Sequence, residues 1–220
     1  MNYNIYEYGE TVVKRSLNYY DNQNENNFHM IAGLTSELTE ELLIALDTND
    51  VVNIVEELGD ATFFNIGSMI HNKYWDNFKE KIEQTDALLL DMGFDWTDEN
   101  YSKKLTPTER KDLFTNVLFL TFKSVGTLNT IYKNVLVKNT PKYNGNILTE
   151  EQICDIHCNL QICINTLTTM MGKNYHEVRE VNDKKLFARH KGGTFTPETS
   201  LNRDTEKERK IMEESLDSEK

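Results

Sequence analysis

Six acids carry the chemistry that this sequence could perform. In the stretch GLTSELTEELLIALDTNDVVNIVEELGDATFF, residues 33–64, Glu37, Glu40, Glu41, Glu56, Glu57 and Asp60 sit inside two segments otherwise apolar enough to be core. Carboxylates are rarely buried unless something positive satisfies them. Several converging on one place could not all stay ionised, because like charges at close range raise each other's pKa. A divalent metal ion supplies the missing charge. All-oxygen ligands select hard cations, Mg²⁺ first and Mn²⁺ second, and Mg²⁺ keeps positions for water and substrate phosphates. Such a site suits phosphate-ester chemistry.

Helical periodicity decides which acids can meet. At 100° per residue, Leu34, Leu38, Leu42 and Ala45 share one helix face, while Glu37 and Glu40 lie together on another. In the next segment Asn53, Glu57, Asp60 and Phe64 form a stripe opposed by Val51, Ile54, Val55, Leu58 and Ala61. The connecting DTND is short enough to make the two helices antiparallel, so the acidic pairs face each other across a narrow gap. The expected metal ligands are therefore Glu37, Glu40, Glu57 and Asp60. In a chain with 36 Asp and Glu, some acids fall three apart by accident. Two such pairs on successive helices, each flanked by core residues, are the stronger signal.

The elements that must hold these acids read as helices throughout. Only three prolines, Pro107, Pro141 and Pro197, interrupt long runs of apolar residues at three-four spacing. A first helix is expected over about 6–20, a second from near Phe28 to Leu46, and a third from Asn49 or Asp50 to about His71. A fourth is expected over KYWDNFKEKIEQTDALLLDMG. GFDWTDENYSKKLTP reads as a connecting loop. TPTE, with Thr106, Pro107 and Glu109, and TEEQ, Thr149 to Gln152, are capping boxes that open long helices to about Lys138 and Met171, with TPKYNGN as the break between them. A last core helix spans roughly Tyr175 to His190. The final TEKERKIMEESLDSEK is too charged for core and reads as a solvated helix or frayed tail. The expected division is one all-α helical bundle, residues 1–195, and a charged C-terminal loop and tail, 196–220.

FLTFKSVGTLNTI can be laid on GLTSELTEELLIA, and EQICDIHCN on EELGDATFF. This overlay hints at a degenerate tandem repeat, with Lys123 falling at Glu37, Gly126 at Glu40, Gln152 at Glu57 and Asp155 at Asp60. The second copy would have lost most of its acids.

Composition removes several function classes. A formal net charge of −12 argues against broad attraction to nucleic-acid polymers or anionic membrane surfaces, which need clustered Lys and Arg. A small anionic substrate remains compatible if metal ions and a few local bases reverse the charge at one site. MNYNIYEYGE is not a signal sequence and no apolar run is long enough to span a bilayer, so the expectation is a soluble cytoplasmic protein. Cys154, Cys158 and Cys163 crowd into one helix and read as reduced core thiols. Cys154, His157 and Cys158 share a face at metal-compatible spacing, but they lack partner ligands, and a buried helix with a satisfied histidine is the better reading. HKGGT is no Walker loop; its glycines end a helix.

The spacing Glu37-x-x-Glu40, sixteen residues, then Glu57-x-x-Asp60 in the context EELGD, with GL ahead of it, resembles the signature of the MazG-like all-α nucleoside triphosphate pyrophosphohydrolases. EVNDKKLFARHKGGTF resembles the same family's Asn-x-x-Lys-Leu-x-x-Arg segment through Asn182, Lys185, Leu186 and Arg189, and Phe195, Ser200, Asn202, Arg203 and Asp204 resemble the tail of shorter, often phage-encoded members. Thr39 stands where the family pattern has a small residue. More than a hundred residues separate Asp60 from Asn182, as in relatives with two helical repeats in one chain, such as dimeric-type dUTPases.

The resemblance implies a MazG-like helical bundle that hydrolyses a nucleotide between its α- and β-phosphates, releasing a monophosphate and pyrophosphate with Mg²⁺ as cofactor. It implies Glu41 or Glu56 as the group that positions water or accepts its proton. Asn182, Lys185 and Arg189 are implied as substrate-binding residues, the last two one turn apart and able to reach one phosphate tail. The alternative is a protein of the same fold that binds or sequesters nucleotides without turnover. One chain encloses its own site if the repeat is real; otherwise a homo-oligomer is expected.

Overall fold

The computed structural model describes residues 7–12, 22–190 and 203–217. The expected helix over 6–20 is described only around a π-helical turn, Tyr8–Val12. The glycines of HKGGT, with Phe195, Ser200 and Asn202, lie outside the described residues.

Local chemistry fixes the helix ends. Asn22 caps α1 (Gln23–Ser36) by accepting from the Asn24 amide, so the polar NQNENN, expected as a connection, is the first turns of that helix. After α1 the chain makes a π-helical turn, Glu37–Glu41, and continues as α2 (Leu42–Thr48). Asn49, in the left-handed region, closes α2, and Asp50 caps α3 (Val51–His71). Helix α4 spans Trp75–Asp91. The expected loop after it contains a short helix, α5 (Tyr101–Lys104), and buries Trp96.

Both capping boxes form. Thr106 and Glu109 open α6 (Pro107–Lys138), and Thr149 and Gln152 open α7 (Glu150–Met170). The break between them is a small antiparallel hairpin, β1 (Lys142–Tyr143) with β2 (Asn146–Ile147). Its corner, Asn144-Gly145, takes positive φ at both residues, a conformation that Asn-Gly adopts most readily. Helices α8 (Tyr175–Arg189) and α9 (Thr205–Asp217) follow. The described chain is thus all-α apart from four strand residues.

Helices α1, α3, α6 and α7 enclose the main core. Leu34, Leu38 and Leu42 meet Leu58, Leu128 and Leu160 there, all at most 1% exposed. The chain folds α3 back along α1, so that Asn27 bonds to Asn72, His29 packs edge-on against Phe64, and Glu37 lies near Glu57. Helices α6 and α7 form a second hairpin, with Tyr132 on His157. A polar seam joins α3 to α7. Asn65 donates to the His157 carbonyl at 3.2 Å and to Gln161 at 3.0 Å, and Gln161 donates to Thr62 at 3.2 Å.

Both His157 nitrogens are taken, Nδ1 by Asn65 at 2.7 Å and Nε2 by the Tyr132 hydroxyl at 3.1 Å. Burial holds the ring neutral, its pKa pulled down to about 3. Cys154, Cys158 and Cys163 are free thiols in the same buried region. This is the satisfied core histidine that the sequence suggested rather than a zinc ligand.

The C-terminal helix corrects the expectation of a solvated tail. Glu208, Met212 and Leu216, four residues apart, are buried on α9. Met212 and Leu216 pack with Val55 of α3 and Val178 and Val181 of α8. The segment is charged overall, yet its charges occupy the other faces, so one apolar stripe suffices to dock it. The boundary expected at 195/196 therefore does not separate α9 from the bundle. None of the described helices is long and apolar enough to cross a membrane.

Candidate functional site

The acids converge at a departure from α-helical geometry. The Leu42 amide donates to the Glu37 carbonyl, an i to i+5 bond that widens the turn carrying Glu37–Glu41. In a regular helix Glu37 and Glu40 share a face. Glu41, four residues on, shares that face as well, and here oxygens of Glu37, Glu41 and Glu57 all lie within 4.8 Å of one another. Glu40 is exposed and stands outside this cluster. The close cluster among the described residues thus contains Glu41, which sequence reasoning offered with Glu56 as the proton acceptor, and does not contain Glu40.

The cluster is short of positive charge. Burial pushes the Glu37 carboxyl up to about 10, helped by the charge of Asp60 and a hydrogen bond with Glu57. Burial raises Glu57 as well, to about 7, although the bond from Glu37 opposes that rise. Without a cation, Glu37 and Glu57 share a proton and behave as one coupled pair. An all-oxygen set this close, driven to take up protons when no cation is present, fits a hard divalent ion.

Asp60 is neutralised differently. Its carboxylate accepts from Lys185 Nζ at 2.6 Å and from Asn182 Nδ2. Burial alone would raise its pKa, but the charges of Lys185 and then Arg189 hold it below the ordinary value. Lys185 is fully buried and also donates to Glu56 at 3.1 Å. Burial works against its charge, and the Asp60 and Glu56 carboxylates outweigh that, keeping its pKa above the usual lysine value. Tyr8 completes the line by donating to Asn182 Oδ1 at 2.5 Å.

Gly59 permits this approach. A Cβ at that position would lie 3.2 Å from Asn182 Nδ2 and 3.3 Å from Asn182 Cβ, tighter than ordinary van der Waals contact. The bare backbone of α3 therefore lets α8 come close enough for Asn182 and Lys185 to reach Asp60.

Arg189, expected beside Lys185 on a phosphate tail, instead forks onto Glu208 of α9, Nε to Oε1 at 2.9 Å and Nη2 to Oε2 at 2.5 Å. Arg209 of α9 reaches back to Asp50 and Asn53 at the start of α3. Of the implied binding residues, Asn182 and Lys185 thus stand at the acids, while Arg189 contributes charge there and ties α8 to α9.

Sequence reasoning missed two contributors. Tyr8 carried no motif. Glu208 was readable only as part of the 208/212/216 stripe. Glu56 was placed at the site, but its buried partner Lys185 could be found only from the packing of α8 on α3. Comparison of the chain with protein-family models, curated proteins and solved structures gave no match.

Proposed function

We propose that the protein is a Mg²⁺-dependent nucleotide pyrophosphohydrolase that cleaves a nucleoside triphosphate or related nucleotide between the α- and β-phosphates. The supporting observation is the convergence of Glu37, Glu41 and Glu57 beside an Asp60 that α8 holds through Lys185 and Asn182. Glu37 and Glu57 would hold the ion, with Glu41 and Asp60 adjoining. Bound there, Mg²⁺ would neutralise phosphate charge and acidify water.

The chain's own groups do the rest. Water attacks phosphorus, the P–O bond to the leaving pyrophosphate breaks, and the water proton passes to a carboxylate. Glu41 suits that role better than Glu56. Glu41 has no hydrogen bond or ion pair among the described residues, whereas Glu56 already accepts from Lys185. Lys185 supplies a fixed positive charge beside the acids, and Asn182, held by Tyr8, orients it through Asp60. Free cysteines suit a reducing cytoplasm, where the nucleotide pool lies.

The test incubates the purified chain with a nucleotide panel and Mg²⁺ or Mn²⁺, separating products by chromatography and detecting pyrophosphate. Monophosphate plus pyrophosphate from one substrate, lost in both Glu57→Gln and Asp60→Asn with folding retained, is the expected result. Turnover that survives in both variants defeats the proposal. Binding without any product would favour a sequestering protein of this fold.

A further inference from the structure

The second helical hairpin carries a cleft where the first carries its acids. The cleft, of about 630 Å³, lies between α6, α7 and the β1–β2 hairpin. Its lining includes Lys123, Thr127, Gln152 and Asp155. Under the overlay of residues 119–131 on 33–45 and 151–159 on 56–64, these are the positions of Glu37, Glu41, Glu57 and Asp60.

The two hairpins also meet directly, through Asn65–His157 and Thr62–Gln161 across α3 and α7. On this overlay the cleft is the counterpart of the acid site.

Its chemistry has changed sign. Lys123 replaces a carboxylate, and the remaining acid, Asp155, is paired with Lys81 of α4. A divalent ion has no ligand set there. What remains, among the described residues, is the Lys123 ammonium without an ion pair, the Tyr143 ring, and the Ser124 hydroxyl and Asn159 amide, neither of which makes a side-chain hydrogen bond. These groups sit over a largely apolar wall. The size falls within the range of small-molecule sites. An aromatic ring with an amide suits a nucleobase, and a single ammonium suits one phosphate rather than a metal-bound triphosphate.

We propose that this cleft is a second nucleotide site, metal-independent and selective for a nucleoside monophosphate. The proposal rests on the paired hairpins and does not depend on hydrolysis at the first site.

The test titrates the full chain in EDTA with the four ribonucleoside monophosphates by calorimetry, with the matching nucleosides and inorganic phosphate as controls. One monophosphate should bind saturably, its nucleoside and free phosphate at least tenfold more weakly. Lys123→Glu should weaken binding at least tenfold, and Asn159→Ala severalfold, whereas Glu57→Gln leaves it unchanged. Both altered side chains are exposed, so the fold should survive, with an unchanged melting temperature as the check. No saturable binding in EDTA overturns the proposal. So does binding that ignores both cleft variants, or that phosphate alone reproduces. Lys123→Glu should leave Mg²⁺-dependent pyrophosphate release intact, so the two sites succeed or fail separately.

Discussion

Metal binding at the acid cluster should expel protons, in a number that the structure sets. Glu37 is held near 10 and Glu57 near 7, so at pH 7 the pair carries between one and two protons that a cation must displace. Mg²⁺ affinity should then rise about tenfold or more per pH unit between pH 6 and 8. Calorimetric titration in two buffers of different protonation enthalpy counts the protons directly, because the observed heats differ in proportion to the number released. Equal heats in both buffers, with affinity flat across this range, would mean that the carboxylates are already ionised and that the reasoning from burial is wrong. The same linkage acts on folding. Glu37 has an ordinary value of 4.5 and a raised value in the folded chain, so the metal-free folded state holds the extra proton between those limits. Stability in EDTA should therefore fall as pH rises above about 4.5, by roughly 1.4 kcal/mol per pH unit for one proton, and saturating Mg²⁺ should flatten the slope.

Other perturbations follow from individual contacts. Glu37→Gln should cut metal-linked proton release by about one proton, leaving only the share of Glu57, and make the EDTA form more stable at pH 8, as read by urea denaturation with and without Mg²⁺. Lys185→Met leaves Glu56 and Asp60 without their buried cation and should destabilise the fold by about 3–5 kcal/mol, less at pH 4 where the carboxylates can protonate; an unchanged urea midpoint at pH 7 would contradict the pairing. Arg189→Ala should loosen α9, losing about 2–4 kcal/mol from the buried fork on Glu208 and opening the C-terminal helix to limited proteolysis before the rest of the chain. Gly59→Ala gains about 1 kcal/mol of helix propensity but crowds an Asn182 fixed at both ends, so a net loss of about 1 kcal/mol is expected in denaturant melts.

The elements were legible because their signals are local. Thr106, Pro107 and Glu109, or Thr149 and Gln152, satisfy amides within a few residues of themselves, and no distant contact is needed to place those helix starts. The same holds for the acids as a group, which stand on adjoining helices joined by a short turn. Glu37 and Glu57 were legible as partners, but which of Glu40 and Glu41 joins them was not. Glu40 and Glu41 both fall beside Glu37 at helical spacing, and the wide turn at Glu37–Glu41, which leaves no mark in that spacing, accompanies a cluster that holds Glu41 and not Glu40. The docking of α9 escaped for a related reason. Mean charge hides a stripe of three residues, and only burial of Met212 against Val55, Val178 and Val181 reveals it.

The site uses two means of neutralising buried carboxylates, and the difference divides the labour among them. Asp60 and Glu56 have a cation built into the fold, Lys185, which cannot leave without exposing two charges. Glu37 and Glu57 have only a shared proton, which a cation can displace at modest pH. The permanently paired acids therefore also tie α3 to α8, with Asp60 adjoining the cluster, and the proton-sharing acids are the more readily exchanged part. A metal ion entering such a site would find its ligands on the α1–α3 hairpin rather than on α8. Substitutions in α8 should then register first as stability and substrate affinity, while substitutions at Glu37 or Glu57 should register first as metal affinity.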